Sequence, residues 1–429
     1  MSRPGGGLRR ARSTGVVDAG PDAPERWIAT EDELEAVIDE IMEHPAYAID
    51  TEFLRERTYY PRLALVQIAW PGGLVLIDPL ATSMQPLARL LNSDRIAVFH
   101  AADQDLEVLE YACGTVPAVM FDTQVAAGFV GFSTPSLVNL AERVLGVKLS
   151  KGDRLTDWTQ RPLTVAQRAY AASDVTHLLL LRELLLAELD TVGRSDWVAE
   201  EIDVLRRRPR GPQDPSRAWW RLKDGRVLKG ADRLVGQELC AWRELRARHD
   251  DRPVRFVLPD LAVLAIAQAR PTTIGALGAV RGIDGRFTKG AAAGEILDVV
   301  ERASAMTPDQ LCQPEIEEFD RKLRPALTLI SAWIAQLARD AKIDTSLLAT
   351  RSDLVHFLRG DADARLRQGW RAEVVGHNVR RLVSGSAALA FEPAGTLVLE
   401  QRSNDPVGLD LAVPDVDWAE QPDSPDPVL

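Results

Sequence analysis

The apolar pattern of this chain changes character once, at a basic, proline-rich stretch between Arg206 and Lys229. Before it, short strand-like runs alternate with helical ones; after it, only helical periodicity is legible. The runs 47–54, 63–70, 74–77 and 96–99 are short and apolar, and Pro71-Gly72-Gly73 supplies a turn between two of them, so they read as strands. Helical spacing covers 30–42, 85–91, 103–111, 122–129, 137–145 and 164–189. The first of these helices has Thr30 at the N-cap and Glu33 in the capping-box position. This order predicts an α/β unit, a mixed sheet flanked by helices. Beyond about residue 230 the chain reads as amphipathic helices over 234–249, 260–269, 273–279, 290–303, 310–341, 346–359 and 369–384, with no convincing strand. The expected divisions are a disordered arm over 1–24, an α/β domain over 25–205, a basic linker over 206–229, helical modules over 230–305 and 306–400, and an acidic disordered tail over 404–429.

Taken as a total, charge argues against a nucleic-acid partner, because the 429 residues carry a formal net charge of −12 and phosphate contacts need Lys and Arg. Its distribution reverses that inference. The tail from Asn404 holds seven acids and no base, so the rest of the chain stands at −5. The stretch from Arg206 to Lys229 holds nine basic residues against two acids, a local +7, together with the pair Trp219-Trp220. Such a segment can track a phosphate backbone and stack on bases. Equally, it can be a solvated linker whose tryptophans plug a neighbouring domain.

Several function classes lack their signatures. No run of about 18 apolar residues occurs, so no membrane span is expected. The arginine-rich N-terminus has no apolar core after it, which argues against a secretory signal and for a cytoplasmic chain. Cys113, Cys240 and Cys312 are far apart, giving neither a zinc knuckle nor a disulfide framework. Neither a GxxxxGK[ST] loop nor an HExxH motif is present, so a fused helicase or a zincin is not expected.

Three segments place acids where they are costly. In the strand over 47–54, Asp50 and Glu52 are two apart and share one face, while Tyr47, Ile49, Thr51 and Phe53 can pack on the other. Two neighbouring carboxylates on a buried strand repel and lose hydration, costs that a cation relieves; an edge strand with a solvated acidic face is the plainer alternative. After the strand over 96–99, His100 is followed by Asp103 and Asp105, of which Asp103 suits a helix cap. In the helix over 164–189, Tyr170 and Asp174 stand one turn apart on one face, among Ala169, Ala171, Ala172 and Ser173, small enough for close approach to a sheet. Four carboxylates and a phenol form an oxygen-rich set of the kind that suits Mg²⁺ or Mn²⁺.

The order Asp-x-Glu, Asp, Tyr-x-x-x-Asp resembles the tyrosine-bearing branch of the DEDD exonuclease superfamily, whose fold is ribonuclease H-like. Further segments are similar to the ribonuclease D family: Asp50-Thr51-Glu52-Phe53, Arg57-Thr58-Tyr59-Tyr60-Pro61, Leu65-Val66-Gln67-Ile68, Leu76-Ile77-Asp78-Pro79-Leu80, His100-Ala101 with Asp105-Leu106-Glu107, Thr156-Asp157-Trp158 and Tyr170-Ala171-Ala172-Ser173-Asp174. Trp242-Arg243-Glu244 and Pro271-Thr272-Thr273-Ile274 resemble an HRDC domain, and a further HRDC-like module is the family expectation for 307–384.

The resemblance implies a metal-dependent 3′–5′ exoribonuclease that releases 5′-mononucleotides from RNA with a free 3′ end, precursor tRNAs among them. Asp50, Glu52, Asp105 and Asp174 would hold two divalent metal ions, with Asp50 bridging them, and Tyr170 would orient the attacking water. The segment around His100 lacks the Asn and aromatic residue of much of the superfamily, which leaves Asp103 as a rival to Asp105; the Asp-Leu-Glu match favours Asp105. Gln67, His100, Lys151 and Arg154 are candidate substrate contacts, each with a structural alternative. A 3′–5′ DNA exonuclease and a non-catalytic RNA-binding adaptor are the competing readings.

Overall fold

A computed structural model describes residues 25–149, 156–285, 287–313 and 320–404. The arm over 1–24, the acidic tail beyond residue 404, and both Lys151 and Arg154 lie outside the described residues.

Strands β1 (Glu25–Ile28), β2 (Ala46–Leu54), β3 (Arg62–Trp70), β4 (Gly73–Ile77), β5 (Ile96–Phe99) and β6 (Met120–Asp122) form one mixed sheet in the order β1-β4-β3-β2-β5-β6. The hairpins β2–β3 and β3–β4 are antiparallel, and β1–β4, β2–β5 and β5–β6 are parallel. β4 is buried throughout and β3 beyond Arg62, as befits central strands covered on both faces. Helices α1 (Glu31–Met42), α2 (Leu87–Leu91), α3 (Asp103–Cys113), α4 (Thr123–Gly128), α5 (Leu137–Val144), α6 (Val165–Thr176), α7 (Leu178–Thr191) and α8 (Ser195–Arg207) complete this unit. The Thr30–Glu33 capping box forms at α1. β1 and α8 go beyond the sequence expectations, and the long helix expected over 164–189 is two helices broken at His177, whose backbone leaves helical geometry (φ −109°, ψ 2°).

The HRDC-like region comprises α9 (Ala231–His249), α10 (Val254–Val257), α11 (Asp260–Ala269), α12 (Ile274–Gly278) and α13 (Ala291–Ser304). It has its own apolar core around Leu239, Val263, Ile266 and Ile296. Trp219 packs against that core, and the indole N–H groups of Trp219 and Trp220 both donate to the Cys312 carbonyl (2.7 and 2.8 Å). Trp219 therefore plugs the helical module, as the plainer alternative has it, while Trp220 stays exposed. Much of the linker's positive charge is spent internally, since Arg206, Arg207, Arg208, Arg217 and Arg221 all pair with carboxylates.

The final segment contains α14 (Arg324–Ala341), α15 (Thr345–Leu348), α16 (Arg351–Arg359), α17 (Gly369–Arg371) and α18 (His377–Val383), with a π-helical turn, Ala372–Gly376, between the last two. A hairpin of β7 (Ala387–Phe391) and β8 (Leu397–Gln401) follows, which corrects the expectation that no strand occurs beyond the linker. β7 reads Ala-Ala-Leu-Ala-Phe, and alanine carries little strand preference, so the pattern is invisible locally. Leu327, Ile330, Trp333 and Trp370 join the apolar core of the α/β unit instead of forming a separate one.

Candidate active site

β2 is buried from Ala46 to Ile49 and emerges from the core at Asp50. The pleat then places Asp50 and Glu52 on one face, and a register shift between Glu52 and Phe53 marks a bulge beside them. α6 packs on β2, β3 and β4. It brings Asp174 to the same place: Asp50, Glu52 and Asp174 each offer a carboxylate oxygen within 4.8 Å of the others. One turn earlier, Tyr170 hydrogen-bonds the Asp174 carboxylate through its phenol.

Asp105 arrives from the first turn of α3. Its Oδ1 accepts the Thr51 backbone N–H (3.1 Å) and the Thr51 hydroxyl (2.6 Å), so β2 itself aims this carboxylate. Thr51 thus does more than pack on the far face of the strand. Asp103, the rival, is exposed and bonds Arg208 at 2.8 Å, whereas Asp105 is 7% exposed. The turn leading into α3 is held by a residue that the sequence argument treated only as the start of a helix. Asp122 is fully buried, caps α4 through the N–H groups of Gln124 and Val125, and accepts those of Ala101 and Ala102 (3.2 and 2.8 Å). Ala101 has φ +64°, a strained value for a residue with a Cβ, and it lines the site cavity.

That cavity, of about 560 Å³, is lined by Asp50, Glu52, Asp105, Tyr170 and Asp174 among others. Burial, then the charges of Asp105, Asp174 and Glu52, push Asp50 well above the usual carboxylate range. Burial, then Asp174 and Asp105, push Glu52 up to about 8. Asp105 is also raised, by burial, with its bonds to Thr51 holding it back. Burial, then the charge of Asp174, raise the Tyr170 phenol, so it stays protonated at neutral pH. Carboxylates that resist ionising together while facing a shared cavity fit divalent cations, which would supply the missing positive charge. An all-oxygen donor set fits Mg²⁺ or Mn²⁺.

The two secondary candidates within the described residues, His100 and Gln67, do not join this cluster. The His100 ring is wedged between Thr123 Oγ1 (2.9 Å) and the Pro135 carbonyl (3.0 Å), outside the cavity wall, so it is a packed histidine. Gln67 pairs with Asp50 across the β2–β3 ladder but is fully buried, with neither amide atom bonded.

Residues 25–190 match the 3′–5′ exonuclease family, and residues 234–300 match the HRDC domain family. A ribonuclease D from Jannaschia is 38% identical over 386 residues, covering 87% of this chain and 99% of that protein. The chain belongs to the ribonuclease D family. The family member from Nitrobacter hamburgensis is also 38% identical, over 88% of this chain and 99% of its own length. The crystal structure of Escherichia coli RNase D, described as an exoribonuclease involved in structured RNA processing, superposes with a TM-score of 0.75 at 30% identity, spanning 84% of this chain and 99% of that one. The catalytic core of RRP6 from Trypanosoma brucei shares the fold at 24% identity, with a TM-score of 0.56 over 66% of this chain and 81% of that one. The α/β unit is therefore a hydrolytic 3′–5′ exonuclease domain, and an HRDC domain follows it. Among the described residues, no helix is long and apolar enough to cross a membrane.

Proposed function

We propose that this ribonuclease D family member trims RNA from a free 3′ end in the cytoplasm, releases 5′-mononucleotides, and takes precursor tRNAs among its substrates. The observation that carries the proposal is the convergence of Asp50, Glu52 and Asp174 on one point, with Asp105 locked beside them by Thr51. These four carboxylates would hold two divalent ions. When bound, such ions lower the pKa of water and offset charge at the phosphate and the departing 3′ oxygen.

The chain's own residues do the rest. Tyr170 keeps its proton and presents a phenol Oη that orients water by hydrogen bonding; it is too weakly acidic to serve as the base. Thr51 and Asp122 fix β2 and α3, two of the three elements that carry the acids, so their geometry is set before substrate arrives. Just past the acids, Arg55 after β2 and Glu107 of α3 pair at the edge of a second cleft of about 610 Å³ toward the HRDC domain. Arg221, Arg255, Tyr59 and Tyr111 line it. Cationic and aromatic side chains in such a cleft suit the strand upstream of the scissile bond.

The test is digestion of 5′-labelled and 3′-labelled RNA, beside a DNA strand of the same sequence, with and without Mn²⁺. The expected result is metal-dependent release of mononucleotides from the RNA 3′ end. Asp50→Ala should lower turnover by more than the roughly 100-fold typical of losing a residue that only supports a metal ligand. An Asp50→Ala protein that trims normally would refute the assignment.

A further inference from the structure

Arg161 lies outside both clefts, yet every hydrogen-bond donor of its guanidinium is used. Nε and one Nη2 hydrogen grip Asp78 in a two-pronged pair (2.7 and 2.6 Å), and Nη2 also donates to the Ala64 carbonyl of β3 (2.6 Å). Nη1 donates to the carbonyls of Trp158 and Gln160 (both 2.8 Å). The guanidinium also stands 5.4 Å from the centre of the Trp27 ring of β1. Asp78, at the end of β4, is 4% exposed and is tied down by its backbone bond to Ile28 and its Oδ1 bond from Leu80. Arg161 is thus a staple between the segment entering α6 and three adjacent strands, with no donor left for a phosphate.

What the staple holds is Trp158. This side chain is 6% exposed, and its ring centre lies 6.1 Å from that of Tyr170, tilted by 32°. A tyrosine has two rotatable side-chain bonds, and a ring fixed against its face removes alternative orientations. We propose that Arg161, anchored by Asp78, is a positioning residue for catalysis: by fixing Trp158 it holds the Tyr170 phenol in its working orientation. The proposal rests on the role given to Tyr170 above.

The experiment is a kinetic cycle on the full chain with Mn²⁺ and 3′-hydroxyl RNA. Arg161→Lys keeps the charge but cannot reproduce a planar five-donor fork. It should lower kcat by roughly tenfold, since small misplacements of a positioned group are costly, with KM unchanged within about twofold. In a Tyr170→Phe background the same substitution should cost nothing further. Trp158→Phe, which leaves the staple intact, covers the case in which Arg161→Lys does not fold; it too should lower kcat only when Tyr170 is present. Equal fold losses in both backgrounds, or an unchanged kcat in both variants, would overturn the proposal. If Tyr170→Phe alone trims like the parent, the role of Tyr170 itself fails and takes this inference with it, an outcome distinct from additive losses.

Discussion

The two segments after the exonuclease domain attach to it by opposite physics. The HRDC domain has its own core and meets the exonuclease domain through polar groups. Tyr59 donates its hydroxyl to Glu244 and accepts from Arg248 Nε (3.0 Å), while Asp251 Oδ1 accepts the N–H groups of Tyr59 and Tyr60 (3.0 and 3.1 Å). The last segment instead extends the exonuclease core. Trp370 stacks on Trp197 with ring centres 5.0 Å apart and meets Phe129 edge-on at 5.3 Å. Around them, Glu201 pairs with Arg371 and Arg365, Asp344 N–H donates to the Gly128 carbonyl (2.7 Å), and Arg194 bridges the Phe129 and Ala341 carbonyls (2.6 and 2.7 Å). Burial alone would raise Glu201, but the bonds and charges of Arg371 and Arg365 hold it below the usual carboxylate range. Apolar continuity makes one cooperative unit; a polar seam between two cores lets its halves open separately.

This contrast can be broken most sharply at Trp370. Trp370→Ala should destabilise the exonuclease unit by about 3–5 kcal/mol, the usual cost of emptying a buried aromatic site. Denaturant unfolding should show the exonuclease and final segments losing structure together, with the HRDC transition unmoved. A final segment that melts alone, leaving the exonuclease domain folded, would dissolve the distinction.

Metal offers a second probe, of about 2.7 kcal/mol at 100 times the dissociation constant. Mn²⁺ should raise the exonuclease transition and not the HRDC transition, and more at pH 8 than at pH 5.5. The sign follows from the raised acids. With Glu52 at about 8, the folded metal-free site holds protons that the unfolded chain has released, so stability is lost as pH rises through that value. Metal binding removes the penalty. Equal shifts of both transitions would contradict a site confined to the α/β unit.

The smallest effect belongs to the polar seam. Tyr59→Phe should cost about 1 kcal/mol of docking, the typical worth of one hydrogen bond, and raise KM for long RNA while leaving kcat intact. Calorimetry at low and high salt checks it: the seam should weaken with ionic strength, since Asp251 is exposed and Arg248 only partly buried. A seam indifferent to both would mean that the domains are joined some other way.

Much of the site was legible from periodicity. Period two put Asp50 and Glu52 together, and a spacing of four put Tyr170 above Asp174, because side-chain direction along a strand or helix is a local property. The choice between Asp103 and Asp105 was not local. It depends on Thr51, more than fifty residues earlier, reaching across to one carboxylate, and on Arg208 taking the other. The Arg161 staple escaped for the same reason: its partners come from three strands and a turn, and an arginine next to a proline in a loop signals none of them. His100 and Trp219 show the reverse: packing takes up side chains that could bear chemistry, an alternative the sequence had left open for both.

The sequence alone determined the α/β alternation, the mostly helical second half and the pairing of Asp50 with Glu52 and of Tyr170 with Asp174, since each rests on propensity and short-range spacing. Only the tertiary structure decided that the last helices and an alanine-rich hairpin complete the first core while the HRDC helices keep a core of their own. Both regions present amphipathic helices of similar composition. Which apolar face is buried against which is settled by shape and by partners distant in sequence, and no window of the chain contains both.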